Sequence, residues 1–80
     1  MKETPLSTLM PGERGTIVRI SDGAGNVRRR LLEMGLIKGA SVELVRFAPM
    51  GDPIEVKVQG YRLSLRRHEA ESVLVRKNGS

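Results

Sequence analysis

Apolar and polar positions alternate along two neighbouring stretches of the chain. Residues 54–58 (Ile-Glu-Val-Lys-Val) place Ile54, Val56 and Val58 on one face, and residues 61–65 (Tyr-Arg-Leu-Ser-Leu) repeat the pattern. A period of two marks a half-buried strand. Gln59-Gly60 between them has the length of a hairpin turn. The β-branched run at residues 15–20 predicts an earlier strand, residues 41–47 a second, and residues 72–76 a last one. Residues 48–53 hold two prolines and a glycine, cannot continue a ladder, and read as a loop.

The period changes at Val27. Val27, Leu31 and Met34 recur at i, i+4 and i+7, which predicts a helix over residues 27–34 with Asn26 as its N-cap. Gly35 stands where a left-handed C′ residue belongs, and Leu36 is expected to return to Leu31 in a Schellman turn. Thr4 and Pro5 read as the cap and first residue of a single helical turn carrying Leu6, Leu9 and Met10, which Pro11-Gly12 ends. Residues 66–71 fit one further turn. About five short strands and one main helix, with one or two single-turn helices, cannot form a wide sheet covered on both faces. They can curl into a barrel, which also protects strand edges. The predicted fold is therefore mainly β, a small SH3-like barrel with the helix capping one end. Residues 1–76 are expected to form one domain and residues 77–80 a disordered tail.

Composition narrows the function. The chain has 80 residues, no cysteine, one histidine and a net charge of +5. The absence of cysteine removes thiolate zinc sites and cysteine nucleophiles. The apolar runs fall far short of the ~20 residues that span a bilayer, and the first twenty residues lack the apolar core of a signal peptide. A cytoplasmic protein is expected. The positive charge invites a nucleic-acid reading, but Phe47 and Tyr61 are the only aromatics, too few for a base-stacking platform. No nucleic-acid partner is expected. Oligomeric state stays open.

Candidate chemistry is sparse. Gly23-Ala24-Gly25 precedes the helix but completes neither a P-loop nor a dinucleotide fingerprint. No nucleophile has a recognisable base partner, so no enzyme is expected. The carboxylates Glu33, Glu43, Glu55, Glu69 and Glu71 fall where solvated faces are predicted. His68, Glu69 and Asp52 are the best metal candidates, yet no metal-motif spacing joins them, and no metal site is assigned. What stands out is arginine. Arg28, Arg29 and Arg30 form one run and Arg66 and Arg67 another. On a helix the first three point about 100° apart, so they form no single stripe. With Met50, Gly51 and Asp52 at a loop tip, where Met50 is expected to be an exposed apolar group, these arginines are the candidate partner-docking residues.

Four stretches together resemble a known family. They are Leu6-Ser7-Thr8-Leu9 before Pro11-Gly12, the block from Arg29 to Leu36 with Gly39 following, the segment from Val42 to Pro53, and Gly60 to Arg67 before Glu69-Ala70. In order and spacing this is similar to the ferrous iron transport protein A family (FeoA-like), over about residues 6–76. The resemblance implies an SH3-like barrel with helical additions. It implies a small cytoplasmic protein that assists bacterial ferrous iron uptake, with a FeoB-type membrane permease, whose cytoplasmic region carries a G-protein domain, as partner. It also implies kinship with the SH3-like C-terminal domain of iron- and manganese-dependent repressors. Transition-metal binding, of iron and weak, comes with the family but with no ligand residues.

Overall fold

The structure is a computed structural model that describes residues 2–21 and 25–78. Its strands are β1 (Glu3–Pro5), β2 (Arg14–Ile20), β3 (Ser41–Phe47), β4 (Ile54–Val58), β5 (Tyr61–Leu65) and β6 (Val73–Lys77). They form one six-stranded antiparallel sheet in the order β1-β6-β2-β3-β4-β5. Helix α1 (Asn26–Glu33) connects β2 to β3, and the short helix α2 (Arg67–Glu71) connects β5 to β6. The architecture is mainly β, as the pattern predicts.

Alternation drives the packing. Ile54, Val56 and Val58 of β4 turn inward, beside Val42 and Leu44 of β3 and Val73 and Val75 of β6. Leu31 and Leu36 close on the same core from the helical side. The register shifts between Ile17 and Arg19 in β2 and between Leu44 and Arg46 in β3. Such irregularities sharpen strand bending and let a small sheet curl around its core. Gln59 and Gly60 both take positive φ, 48° and 92°, the pairing that a tight two-residue hairpin demands.

The end of α1 follows the predicted pattern. Leu36 N–H donates to Leu31 O at 3.1 Å and Gly35 N–H to Leu32 O at 3.0 Å, the paired bonds of a Schellman turn. Gly35 has φ of 97°, and a Cβ there would stand 2.7 Å from the Tyr61 hydroxyl oxygen. That hydroxyl donates to Met34 O at 3.1 Å, so β5 braces the helix end.

Three expectations need correction. Thr4 and Pro5 do not open a helix. They lie in β1, opposite Val75 and Leu74 of β6, and the chain turns only at Leu6–Thr8, a 3-10 turn. Pro5 is tolerated because β1 is an outermost strand, where a missing N–H breaks no inner ladder. The N-cap of α1 is Gly25, with φ of 58°, and Asn26 is already helical. Lys77, placed in the expected tail, pairs with Gly15, and Asn78 N–H donates to Arg14 O at 2.9 Å. Gly79 and Ser80 lie outside the described residues, as does most of the Gly23-Ala24-Gly25 run.

No described helix is long and apolar enough to cross a membrane.

Candidate functional site

Two of the candidate groups meet. Residues 48–53 form the β3–β4 loop, and the loop is closed on itself. Ala48 N–H donates to Pro53 O at 3.0 Å and Gly51 N–H to Ala48 O at 2.7 Å. It is also tied to the start of α2. Asp52 Oδ1 accepts the Arg67 backbone N–H at 3.1 Å, and Gly51 O accepts Arg67 Nη1 at 3.4 Å. Arg66 Nη1 lies 3.9 Å from the same Asp52 oxygen. These bonds hold the loop while its tip residue, Met50, is 92% exposed. The braced backbone at the tip has little ordering entropy left to lose on binding, although the Met50 side chain keeps its rotamer freedom.

Glu69 departs from expectation. It is 1% exposed, not on a solvated face. α2 turns Glu69 and Ala70 inward, so the carboxylate must find partners or suffer the cost of losing water. Its Oε1 accepts the Arg66 N–H at 2.8 Å, half of a capping box, and its Oε2 pairs with Arg30 Nη1. Arg30 remains 58% exposed on its solvent side. One buried carboxylate thus links α1 to the start of α2.

The run at residues 28–30 splits as the helix geometry requires. Arg30 turns toward Glu69. Arg29 lies on the outer face, 3.9 Å from Glu33. Arg28 Nη1 donates to Ile20 O at 3.2 Å. The structure therefore joins Arg30, Arg66, Arg67, Gly51 and Asp52 through Glu69 and the loop, and leaves Arg28 and Arg29 on a separate side of α1. Much of the local positive charge is offset by Glu33, Asp52 and Glu69.

The metal candidates do not converge. His68 is exposed, and both oxygens of Glu69 are engaged by arginine N–H groups. Among the described residues, no three His, Cys, Asp or Glu side chains are placed to hold a metal ion.

At the end of β6 away from α2, Glu13 accepts the Met10 N–H at 2.8 Å and pairs with Lys77. The Lys77 hydrogen bond, and then the Met10 N–H, hold the Glu13 carboxyl below its ordinary range. This tie fastens the last strand to the turn before β2.

Sequence reasoning passed over a set of exposed apolar residues around the end of α1: Leu32, Ile37 and Tyr61. The available signal was Leu32, which falls off the face shared by Val27, Leu31 and Met34. A groove of about 510 Å³ lies beside it, lined by Gly25, Arg28, Arg29, Leu32 and Glu33.

The sequence pattern of the FeoA domain family matches residues 4–77. The chain is 40% identical over 70 residues to the Fe(2+) transport protein A/Fe(2+) transporter FeoB fusion protein of Porphyromonas gingivalis. That stretch is 88% of this chain and 8% of that protein, so the chain spans a small part of its curated relative. The FeoA-like protein from Clostridium acetobutylicum superposes with a TM-score of 0.92 at 32% identity, covering 100% of this chain and 92% of that one. FeoA of Stenotrophomonas maltophilia, an SH3 domain protein solved in complex with zinc, gives 0.80 at 34% identity, covering 91% and 89%. A manganese-dependent transcriptional repressor in complex with manganese gives 0.88 at 20% identity, over 98% of this chain and 38% of that one. That last likeness is one of fold alone. The expected SH3-like architecture agrees with these neighbours.

Proposed function

This chain belongs to the FeoA domain family of ferrous iron transport, and we propose on that footing that it is a small cytoplasmic, non-enzymatic accessory protein. In this reading it docks on the cytoplasmic region of a FeoB-type iron permease and modulates it. The observation that carries the reading is the Porphyromonas gingivalis relative, in which a segment similar to this chain is fused to an Fe(2+) transporter. A covalent link holds two modules at an effective concentration of roughly millimolar. Such a link is useful where the two act together. The docking residues are Arg28, Arg29, Arg30, Arg66 and Arg67 with the loop tip Met50, Gly51 and Asp52.

The test adds the purified chain to the intact permease in nanodiscs and follows guanine-nucleotide turnover and co-elution. The reading expects co-elution and a changed turnover, with both effects reduced by Arg29→Glu or Met50→Asp. Co-elution with unchanged turnover would remove modulation and keep docking. Absence of both would remove the whole reading.

The zinc complex of the Stenotrophomonas maltophilia relative favours a second reading, weak binding of a transition metal ion such as iron. Glu69 is engaged by Arg30 and Arg66 and Asp52 by Arg67, and His68, Glu69 and Asp52 do not form a ligand set among the described residues, so these side chains do not by themselves fit such an ion. Anaerobic titration calorimetry with ferrous ion tests it. Heats indistinguishable from dilution at millimolar metal would dismiss it.

A further inference from the structure

Among the described residues five large apolar side chains are exposed; Met10 and Met50 stand apart, and the other three gather around one turn. Leu32, Ile37 and Tyr61 are 39%, 45% and 49% exposed. All belong to one place, the turn that ends α1. Leu32 O accepts the Gly35 N–H, the Tyr61 hydroxyl donates to Met34 O, and Ile37 follows Gly35 by two residues. Single exposed apolar residues are ordinary on a protein surface, whereas a group of them around a rigid turn marks an interaction site. Two Schellman bonds and the Tyr61 hydroxyl hold the turn in place. Of the eight residues of α1, only Leu31 is buried, so the helix presents most of its surface outward.

Charge defines what fits there. Arg28, Arg29 and Leu32 line the 510 Å³ groove together, with Glu33 and Gly25. Lys38 is the next residue after Ile37 and is exposed. Among the described residues, no carboxylate pairs with Arg28 or Lys38. Leu32 is therefore flanked by Arg28 and Arg29 against one carboxylate, Glu33, and Ile37 is followed by the exposed Lys38. A second copy of the chain is a poor occupant. A two-fold contact through this turn would set these cations against their own copies, and like charges across an interface are costly.

We propose that the turn ending α1 is a docking surface for an acidic, amphipathic protein segment. Leu32, Ile37 and Tyr61 receive its apolar side chains, and Arg28, Arg29 and Lys38 receive its carboxylates. The inference rests on the permease reading and names the chemistry of the permease segment. It also separates this surface from the Met50 loop, which lies with α2 and Glu69.

The experiment measures equilibrium binding of the full chain to the intact FeoB-type permease in nanodiscs. The chains are wild type, Leu32→Glu, Ile37→Asp, the pair Arg28→Glu with Lys38→Glu, and Met10→Asp as an exposed apolar control elsewhere. Circular dichroism and thermal unfolding check the fold of each, and Leu32→Glu keeps a good helix former on an exposed position. The proposal expects Leu32→Glu and Ile37→Asp to weaken binding at least about tenfold, the scale of a residue central to an interface. It expects the charge-reversed pair to weaken binding and flatten its salt dependence, with Met10→Asp unchanged. Wild-type binding with all these variants unaffected overturns this surface and leaves the permease reading standing. No wild-type binding at all overturns both. A dimer in sedimentation that Ile37→Asp dissolves overturns the acidic partner in favour of a second copy.

Discussion

Replacing Glu69 by Gln tests the link between α1 and α2 at its centre. The substitution keeps size and leaves an oxygen for the Arg66 N–H at 2.8 Å. It removes the charge that Arg30 pairs with. A hydrogen bond to a charged group contributes about 1.5–3 kcal/mol. Arg30 is 58% exposed and regains water when released, so part of that is recovered. The expected loss is about 1–2 kcal/mol. For a chain of this size each kcal/mol moves Tm by about 4–8 °C, so unfolding shifts down by roughly 5–15 °C. Arg30→Ala should cost more, about 2–3 kcal/mol, because it strands a carboxylate that is 1% exposed. Urea unfolding of the two single variants and the double variant gives the coupling directly. A pair in direct contact should couple by about 0.5–3 kcal/mol. Costs that simply add, within about 0.3–0.5 kcal/mol, would refute the claim that Glu69 joins the two helices.

Three other outcomes follow from the geometry. Gly35→Ala should lose about 1–2 kcal/mol in urea unfolding, from positive φ and from the Tyr61 oxygen 2.7 Å away, and less in a Tyr61→Phe background. Leu31→Ala empties a fully buried site and should cost about 2–5 kcal/mol, read from the same denaturation curves. The folded pKa of Glu13 is depressed, so its contribution is present above its unfolded value near 4.5 and is lost as pH falls through the folded value. The stability gap between wild type and Glu13→Gln should therefore hold from neutral pH down to that range and close below it. A gap that widened on acidification would contradict the Lys77 and Met10 contacts.

Features encoded by neighbours in sequence were legible. Gly35 and Leu36 sit one turn from the carbonyls they bond, and the alternation at residues 54–58 is visible without its partner strands. Features that depend on distant residues were not. β1 exists because Glu3, Thr4 and Pro5 meet β6 some seventy residues later, and nothing local in Thr4-Pro5-Leu6 distinguishes that from a helix start. Glu69 is buried because Arg30, 39 residues away, can reach it. The usual capping-box signal was missing too, since Arg66 occupies the position normally held by Ser or Thr. At the candidate site, the sequence named both arginine runs and the loop. It did not indicate that the first run divides, Arg30 reaching Glu69 while Arg28 and Arg29 turn elsewhere, because that division follows from which side of α1 each arginine faces. The patch at Leu32, Ile37 and Tyr61 escaped for the same reason, being split between α1, the following turn and β5.

The most direct test is the equilibrium dissociation constant between the intact chain and an intact FeoB-type permease in nanodiscs, measured with and without guanine nucleotide. Saturable binding is expected, weakening when Arg29→Glu or Met50→Asp is introduced. No binding by the wild-type chain in either nucleotide state would contradict it.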